Sequence, residues 1–195
     1  MSRQKAPAEL PSLDVIEKAV RQTRWRKRYI TVLRSSVFPL ITVAAAAVLV
    51  ATLWLPVLQT YGDSMSPTLR DGDIIVSVKS GEFAPGDIIA FYYNNKILVK
   101  RVIAAAGQWV DIREDGTVLV DGQVLDEPYL AEKAFGECDI ELPYQVPDGR
   151  IFVMGDHRSV SVDSRSTAVG CVAGEQIVGR MVFRLWPLRD AGVLR

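Results

Sequence analysis

Hydrophobic and polar positions divide the chain into three stretches with different rhythms. Between residues 13 and 34, Leu13, Ile16 and Val20 recur at i, i+3 and i+7 among basic side chains. That spacing predicts an amphipathic helix, with Ser12 or Asp14 placed to cap it. From residue 35 to residue 62 there are 28 positions without a charged side chain, and the apolar run 37–58 within them is 22 residues long. After residue 59 the pattern shortens to runs rich in β-branched and aromatic side chains. These predict strands over 74–78, 88–93, 97–104, 109–112, 117–120, 151–154 and 178–186. Asp71-Gly72, Pro85-Gly86, Asp115-Gly116, Asp121-Gly122 and Pro147-Asp148-Gly149 separate them as turn signals. Strands at this spacing imply a mainly β domain, twisted, antiparallel and partly closed. Residues 127–147 carry no such rhythm and predict a long loop or small insertion.

The apolar run changes the picture of where the chain resides. At about 1.5 Å per helical residue, about 20 residues cross a hydrocarbon core of about 30 Å. Pro39 and Pro56 stand near the two ends of the run, and Trp54 sits where an interfacial aromatic belongs. A cleaved secretory signal has a shorter apolar region of about 7 to 15 residues. A buried core helix would need a domain large enough to wrap it on all sides. The expected organisation is a basic arm at 1–34, a single transmembrane helix at 35–58 and a β-rich domain at 59–195.

Charge then gives the span a direction. The chain has 23 basic and 23 acidic side chains, and this balance disfavours a nucleic-acid partner. Residues 1–34, however, hold nine basic and three acidic side chains. Arg21, Arg24, Arg26, Lys27, Arg28 and Arg34 all precede the span, and the first charge after it is Asp63. The positive-inside rule places the arm in the cytoplasm and residues 59–195 outside, with membrane lipid as a partner of the span. The arm is either a solvated signal for topology or a helix lying on the inner leaflet. One histidine and two cysteines are too few for a structural zinc site built on those ligands. Cys138 and Cys171 either pair or remain two separate thiols, and their spacing does not decide which.

Three stretches carry candidate chemistry. Ser64 lies in a Gly- and Pro-containing turn, Tyr61-Gly62-Asp63-Ser64-Met65-Ser66-Pro67-Thr68-Leu69; a serine in such a turn is most often structural. Lys100 shares one face of a predicted strand with Leu98 and Val102. An ammonium in an apolar row loses hydration, its pKa falls, and the neutral amine can accept a proton from a serine hydroxyl. A lysine that snorkels at a strand edge is the competing reading. Arg101, on the opposite face, is expected to be a solvated charge. The third stretch, from Gly155 to Arg165, packs three serines and five ionisable side chains into 11 positions.

Taken together and in order, these stretches resemble the type I signal peptidases, membrane-bound Ser-Lys proteases of bacteria. Ser64 to Leu69 matches S-M-x-P-T-L, and Lys100 to Gly107 matches K-R-V-x-x-x-x-G. Gly86 to Phe91 matches G-D-[IV]-[IV]-x-F. Gly155 to Arg165 matches G-D-N-R-x-x-S-x-D-S-R except at His157, where the pattern has Asn. The resemblance implies that Ser64 is the nucleophile and Lys100 the general base. It implies that Ser161 hydrogen-bonds and orients the lysine, and that Asp163 and Arg165 form a supporting ion pair. The backbone N–H of Ser64 meets the oxyanion. A side-chain hydroxyl that some members add two residues before the nucleophile is missing, because that position is Gly62. Met65, Leu69 and Val99 adjoin the nucleophile and base and are expected in the substrate pocket, although ordinary core packing suits them as well.

The implied substrates are exported preproteins, cut after A-x-A-like sites by a monomer that needs no metal or other cofactor. His157 is expected to support the site rather than to act as the base of a Ser-His-Asp triad. The alternatives are a processing peptidase for a few dedicated substrates, a self-cleaving Ser-Lys repressor-type protease, or a membrane-anchored scaffold without activity. The span argues against the repressor type, and intact Ser64, Lys100, Ser161 and Asp163 argue against the scaffold.

Overall fold

Helix comes first. The computed structural model describes residues 13–79 and 81–194, so Ser12 as a cap lies outside the described residues. Helix α1 (Leu13–Val32) passes through a π-helical turn (Leu33–Val37) into α2 (Phe38–Trp54). Among the described residues, one stretch is long and apolar enough to cross a membrane, Arg28–Leu49, which starts before the expected residue 35; its most apolar 18 residues have mean hydropathy 1.9 and are not buried. Leu40, Ile41, Val43, Val48 and Leu49 are exposed around this helix. A helix that is apolar all round suits hydrocarbon. The helix stops at Trp54, earlier than the expected 58. Pro56 lacks an N–H and disfavours helical geometry at Leu55, so Val57 and Leu58 leave the apolar run and become a strand.

The chain from Ala51 onward forms a compact unit of its own. Its strands are β1 (Val57–Gln59), β2 (Ile74–Val78), β3 (Ile88–Tyr93), β4 (Lys96–Ala104), β5 (Trp109–Ile112) and β6 (Val118–Val120). They continue as β7 (Gln123–Val124), β8 (Tyr144–Gln145), β9 (Arg150–Met154), β10 (Val172–Ala173), β11 (Ile177–Trp186) and β12 (Gly192–Val193). Every pairing among them is antiparallel. The larger sheet runs β1-β2-β11-β3-β4-β9-β10, with β12 against β11, and the smaller runs β7-β6-β5-β8.

Two features of this topology position the site. β4 pairs with β3 along Lys96 to Arg101, but with β9 only from Arg101 onward. The edge of β4 at 97–99 that faces away from β3 therefore has no partner strand among the described residues. The second feature is a division of the core. Met65 and Leu69 pack with Ile75, Ile88, Ala90 and Met181 beneath the Ser64 turn. Ile103, Phe152 and Met154 pack with Val110, Ile112 and Val118, joining the two sheets.

The 127–147 segment is more than a surface loop. Phe135, Ile140 and Leu142 pack against the inter-sheet core, and β8 adds to the smaller sheet. Cys138 and Cys171 are separate free thiols, Cys171 being buried in that same core.

Candidate active site

The Ser64 turn is anchored by its apolar neighbours. Met65 and Leu69 are buried at 4% and 1% exposure, and the Leu69 N–H donates to the Met65 carbonyl at 2.8 Å. With the turn pinned, the Ser64 Oγ meets Lys100 Nζ in a hydrogen bond of 2.7 Å. Lys100 reaches it from β4, where it lies opposite Ile89 of β3. Burial strips water from the ammonium and pulls the Lys100 pKa from 10.5 down to about 8. The charge of Asp163 opposes this fall, Arg165 reinforces it, and Asp156 opposes it again. Near pH 8, then, about half of the lysine is a free amine bonded to a hydroxyl.

The loop that begins at Gly155 closes on the back of this pair. His157 N–H donates to the Ser64 carbonyl at 3.0 Å, and Ser161 N–H to the His157 carbonyl at 3.1 Å. Such a close approach requires glycine at 155. A Cβ there would lie 2.5 Å from the Ser64 carbonyl oxygen and 2.2 Å from Ser161 Oγ. Asp163 and Arg165 form the expected ion pair, through two contacts of 2.8 Å, and both side chains are fully buried. Asp163 also accepts from the Gly155 N–H at 2.9 Å, while Arg165 donates to the Ser161 and Phe135 carbonyls. Each buried charge is thus paired and its remaining hydrogen-bonding groups are used, the condition under which such a pair is tolerated inside a protein.

Two expectations are corrected. Ser161 Oγ makes no hydrogen bond, so the expected bond to Lys100 is not formed. The hydroxyl instead occupies the space that the missing Cβ of Gly155 leaves open. Arg101 is not a solvated charge. It is 1% exposed, holds Asp156 through contacts of 2.9 and 2.7 Å, and lies 3.8 Å from the centre of the Tyr129 ring. Around Arg101 itself that side of β4 is covered by protein. Gly62 carries a constraint of its own as well as lacking a hydroxyl. Its φ of +80° strains any residue with a Cβ, and its N–H is held by the Asp71 carboxylate at 2.8 Å.

Met65, Leu69 and Val99 line a cleft of about 550 Å³ together with Ser64 and Lys100. Leu58, Gly62, Ile97 and Leu98 add to its wall. Met65 and Leu69 are at once cleft wall and core, so the two readings of these residues are not exclusive. His157 Nδ1 lies 3.3 Å from the Asp63 carbonyl, whereas the Ser64 hydroxyl is bonded to Lys100.

Several supporting residues escaped the sequence reading. Thr68, half-buried, donates to Asp156 at 2.5 Å, and Arg158 pairs with Glu127 in the interior. Thr68, Asp156 and Arg158 stood inside the quoted stretches, and their polarity in an otherwise packed region was the available signal. Glu127 and Tyr129 lie in the aperiodic loop and carried no signal.

Comparison with known proteins identifies the family. A family model described as signal peptidase, peptidase S26, matches residues 33–186. The chain is similar to signal peptidase IB of Staphylococcus aureus (strain COL), at 35% identity over 174 residues, covering 77% of this chain and 90% of that protein. It is similar to signal peptidase I of Bacillus licheniformis, at 35% identity over 164 residues, covering 77% and 87% respectively. A crystal structure of a signal peptidase I from Enterococcus faecalis is 31% identical, covering 51% of this chain and 96% of that one, with a TM-score of 0.44.

Proposed function

The chain belongs to the signal peptidase family, peptidase S26, and from that premise we propose that it is a membrane-anchored serine endopeptidase in which Ser64 is the nucleophile and Lys100 the general base. It removes signal peptides from exported preproteins. The observation that carries the residue assignment is the 2.7 Å hydrogen bond between Ser64 and a buried, easily neutralised lysine at the edge of an apolar cleft.

The open edge of β4 at 97–99 invites an extended substrate segment to pair as an added strand, with alternate side chains entering the cleft. Met65, Leu69 and Val99 form the walls that favour small side chains. Lys100 takes the proton as Ser64 Oγ attacks the scissile carbonyl. The backbone N–H of Ser64 serves the developing oxyanion. Lys100 then gives its proton to the leaving amine of the mature protein. Water, deprotonated by the same lysine, releases the signal peptide from Ser64. The test is to incubate the purified full chain in detergent with a preprotein bearing Ala at the first and third positions before the junction. The mature N-terminus is expected to begin immediately after the first of these, and Ala→Phe at that substrate position is expected to stop cleavage. Equal cleavage of the Phe substrate, or cutting at another bond, would contradict the assignment.

The basic N-terminal arm is assigned to the cytoplasm, the span to the apolar helix that includes Arg28–Leu49, and the catalytic domain, from Val57 on, to the outside. Protease added to intact cells is expected to digest the β domain and spare the arm. Protection of the β domain would reverse this orientation.

A further inference from the structure

The far face of β4 holds a set of buried groups that the dyad itself does not use. Arg101, adjacent to the base, donates to Asp156 and to the Gly86 carbonyl at 2.8 Å. Asp156 in turn accepts from Thr68, four residues after the nucleophile. Three segments, the Ser64 turn, β4 and the loop after β9, therefore meet at one guanidinium–carboxylate pair. The 127–147 segment closes over this joint. The Tyr129 ring stacks on the Arg101 guanidinium at 3.8 Å, and its hydroxyl donates to Glu127 at 3.0 Å. Glu127 pairs with Arg158, whose Nε donates to the Gly155 carbonyl at 3.1 Å. Gly155 is the residue that touches both Ser64 and Ser161.

We propose that Tyr129 and Glu127 are positioning residues, a strap that fixes the separation and dryness of the Ser64–Lys100 pair from the opposite face of β4. This rests on the Ser-Lys reading above. The stacked ring excludes water from a guanidinium that would otherwise be hydrated from that side. The Glu127–Arg158 pair fixes the backbone of the loop lying against Ser64. Loss of the ring lets water and motion into the joint, so the lysine sits less accurately on the hydroxyl and is less desolvated. Errors of about 1 Å in such a contact cost roughly 10²-fold in rate. A partial loosening is expected to cost about tenfold.

The experiment compares Tyr129→Leu and Tyr129→Phe in the full chain in detergent, with the preprotein as substrate. Tyr129→Leu is expected to lower kcat about tenfold or more, leave KM within about twofold, and move the acid limb of the pH profile upward. Tyr129→Phe keeps the stacked ring and is expected to recover most of the lost kcat. Glu127→Gln keeps the side-chain shape but removes the charge facing Arg158. It is expected to give the same split at about threefold, and covers the case in which Tyr129→Leu is unstable. Wild-type kcat and an unmoved limb in Tyr129→Leu and Glu127→Gln would overturn the proposal. A loss explained wholly by a smaller count of titratable active sites, with the limb unmoved, would overturn it too. Ser64→Ala and Lys100→Ala run beside them separate the two claims. Activity in those variants removes the dyad, whereas their inactivity with a wild-type Tyr129→Leu removes only the strap.

Discussion

Lys100→Ala is expected to lower kcat for preprotein cleavage at least about 10³-fold, to the level of Ser64→Ala. A serine hydroxyl is a weak nucleophile at neutral pH, and only a base within hydrogen-bond reach can take its proton as it attacks. Lys100 Nζ, at 2.7 Å, is that group, and burial holds its pKa near 8 so that the base is available. His157 offers no substitute, because its ring is directed to the Asp63 carbonyl. Accordingly His157→Asn is expected to retain activity within about threefold, since Asn keeps a polar group for a backbone contact. Both variants are read with one preprotein and one detergent. Full activity in Lys100→Ala, or complete loss in His157→Asn, would sink the dyad.

The second large effect is expected at a residue with no side chain. Gly155→Ala places a Cβ 2.5 Å from the Ser64 carbonyl oxygen, 2.2 Å from Ser161 Oγ and 2.6 Å from Ser161 Cβ. The φ of Gly155 is not positive, so alanine meets no backbone penalty and the effect is steric. Ser161 is buried in a close-packed interior, and the Ser64 carbonyl belongs to the nucleophile's own peptide. The turn must therefore shift, which changes the Ser64–Lys100 contact. Overpacking of this kind costs about 1–3 kcal/mol in stability. A displaced nucleophile is expected to lose about 10²-fold in kcat. Kinetics and a thermal melt of the same preparation check both parts. A Gly155→Ala enzyme with wild-type kcat would show that the contact does not set the position of Ser64.

The legibility of these features in the sequence follows physical range. Strands at 74–78, 88–93 and 109–112 were visible because each carries enough β-branched or aromatic residues to reveal its period. β7, β10 and β12 are two residues long, shorter than one useful period. β1 was hidden because Val57 and Leu58 continue the apolar run of the helix, and only Pro56 marks the change. Lys100 could be singled out because strand alternation placed it in an apolar row. The same alternation misled for Arg101, since it says which face a side chain takes and not what covers that face. What covers it comes from Tyr129, 28 positions away, and its carboxylate partner is 55 positions away at Asp156. The Asp163–Arg165 pair was legible because the resemblance to the family's late polar stretch implies it, whereas Glu127–Arg158 spans 31 positions and lies partly outside any such stretch. Ser161, which the resemblance implied as a partner of Lys100, lies against Gly155, and the direction of its hydroxyl depends on the space that glycine leaves.

The central claim is that a neutral lysine is the base, and the dependence of kcat/KM on pH tests it most directly. The working form is the free amine, so activity must rise with pH as Lys100 loses its proton and fall on the acid side. With burial lowering Lys100 from 10.5 to about 8, the wild-type chain is expected to show a single acid limb with its midpoint near pH 8. The same limb is expected in His157→Asn. A midpoint near about 6.5, the ordinary range of histidine, that disappears in His157→Asn would contradict the account.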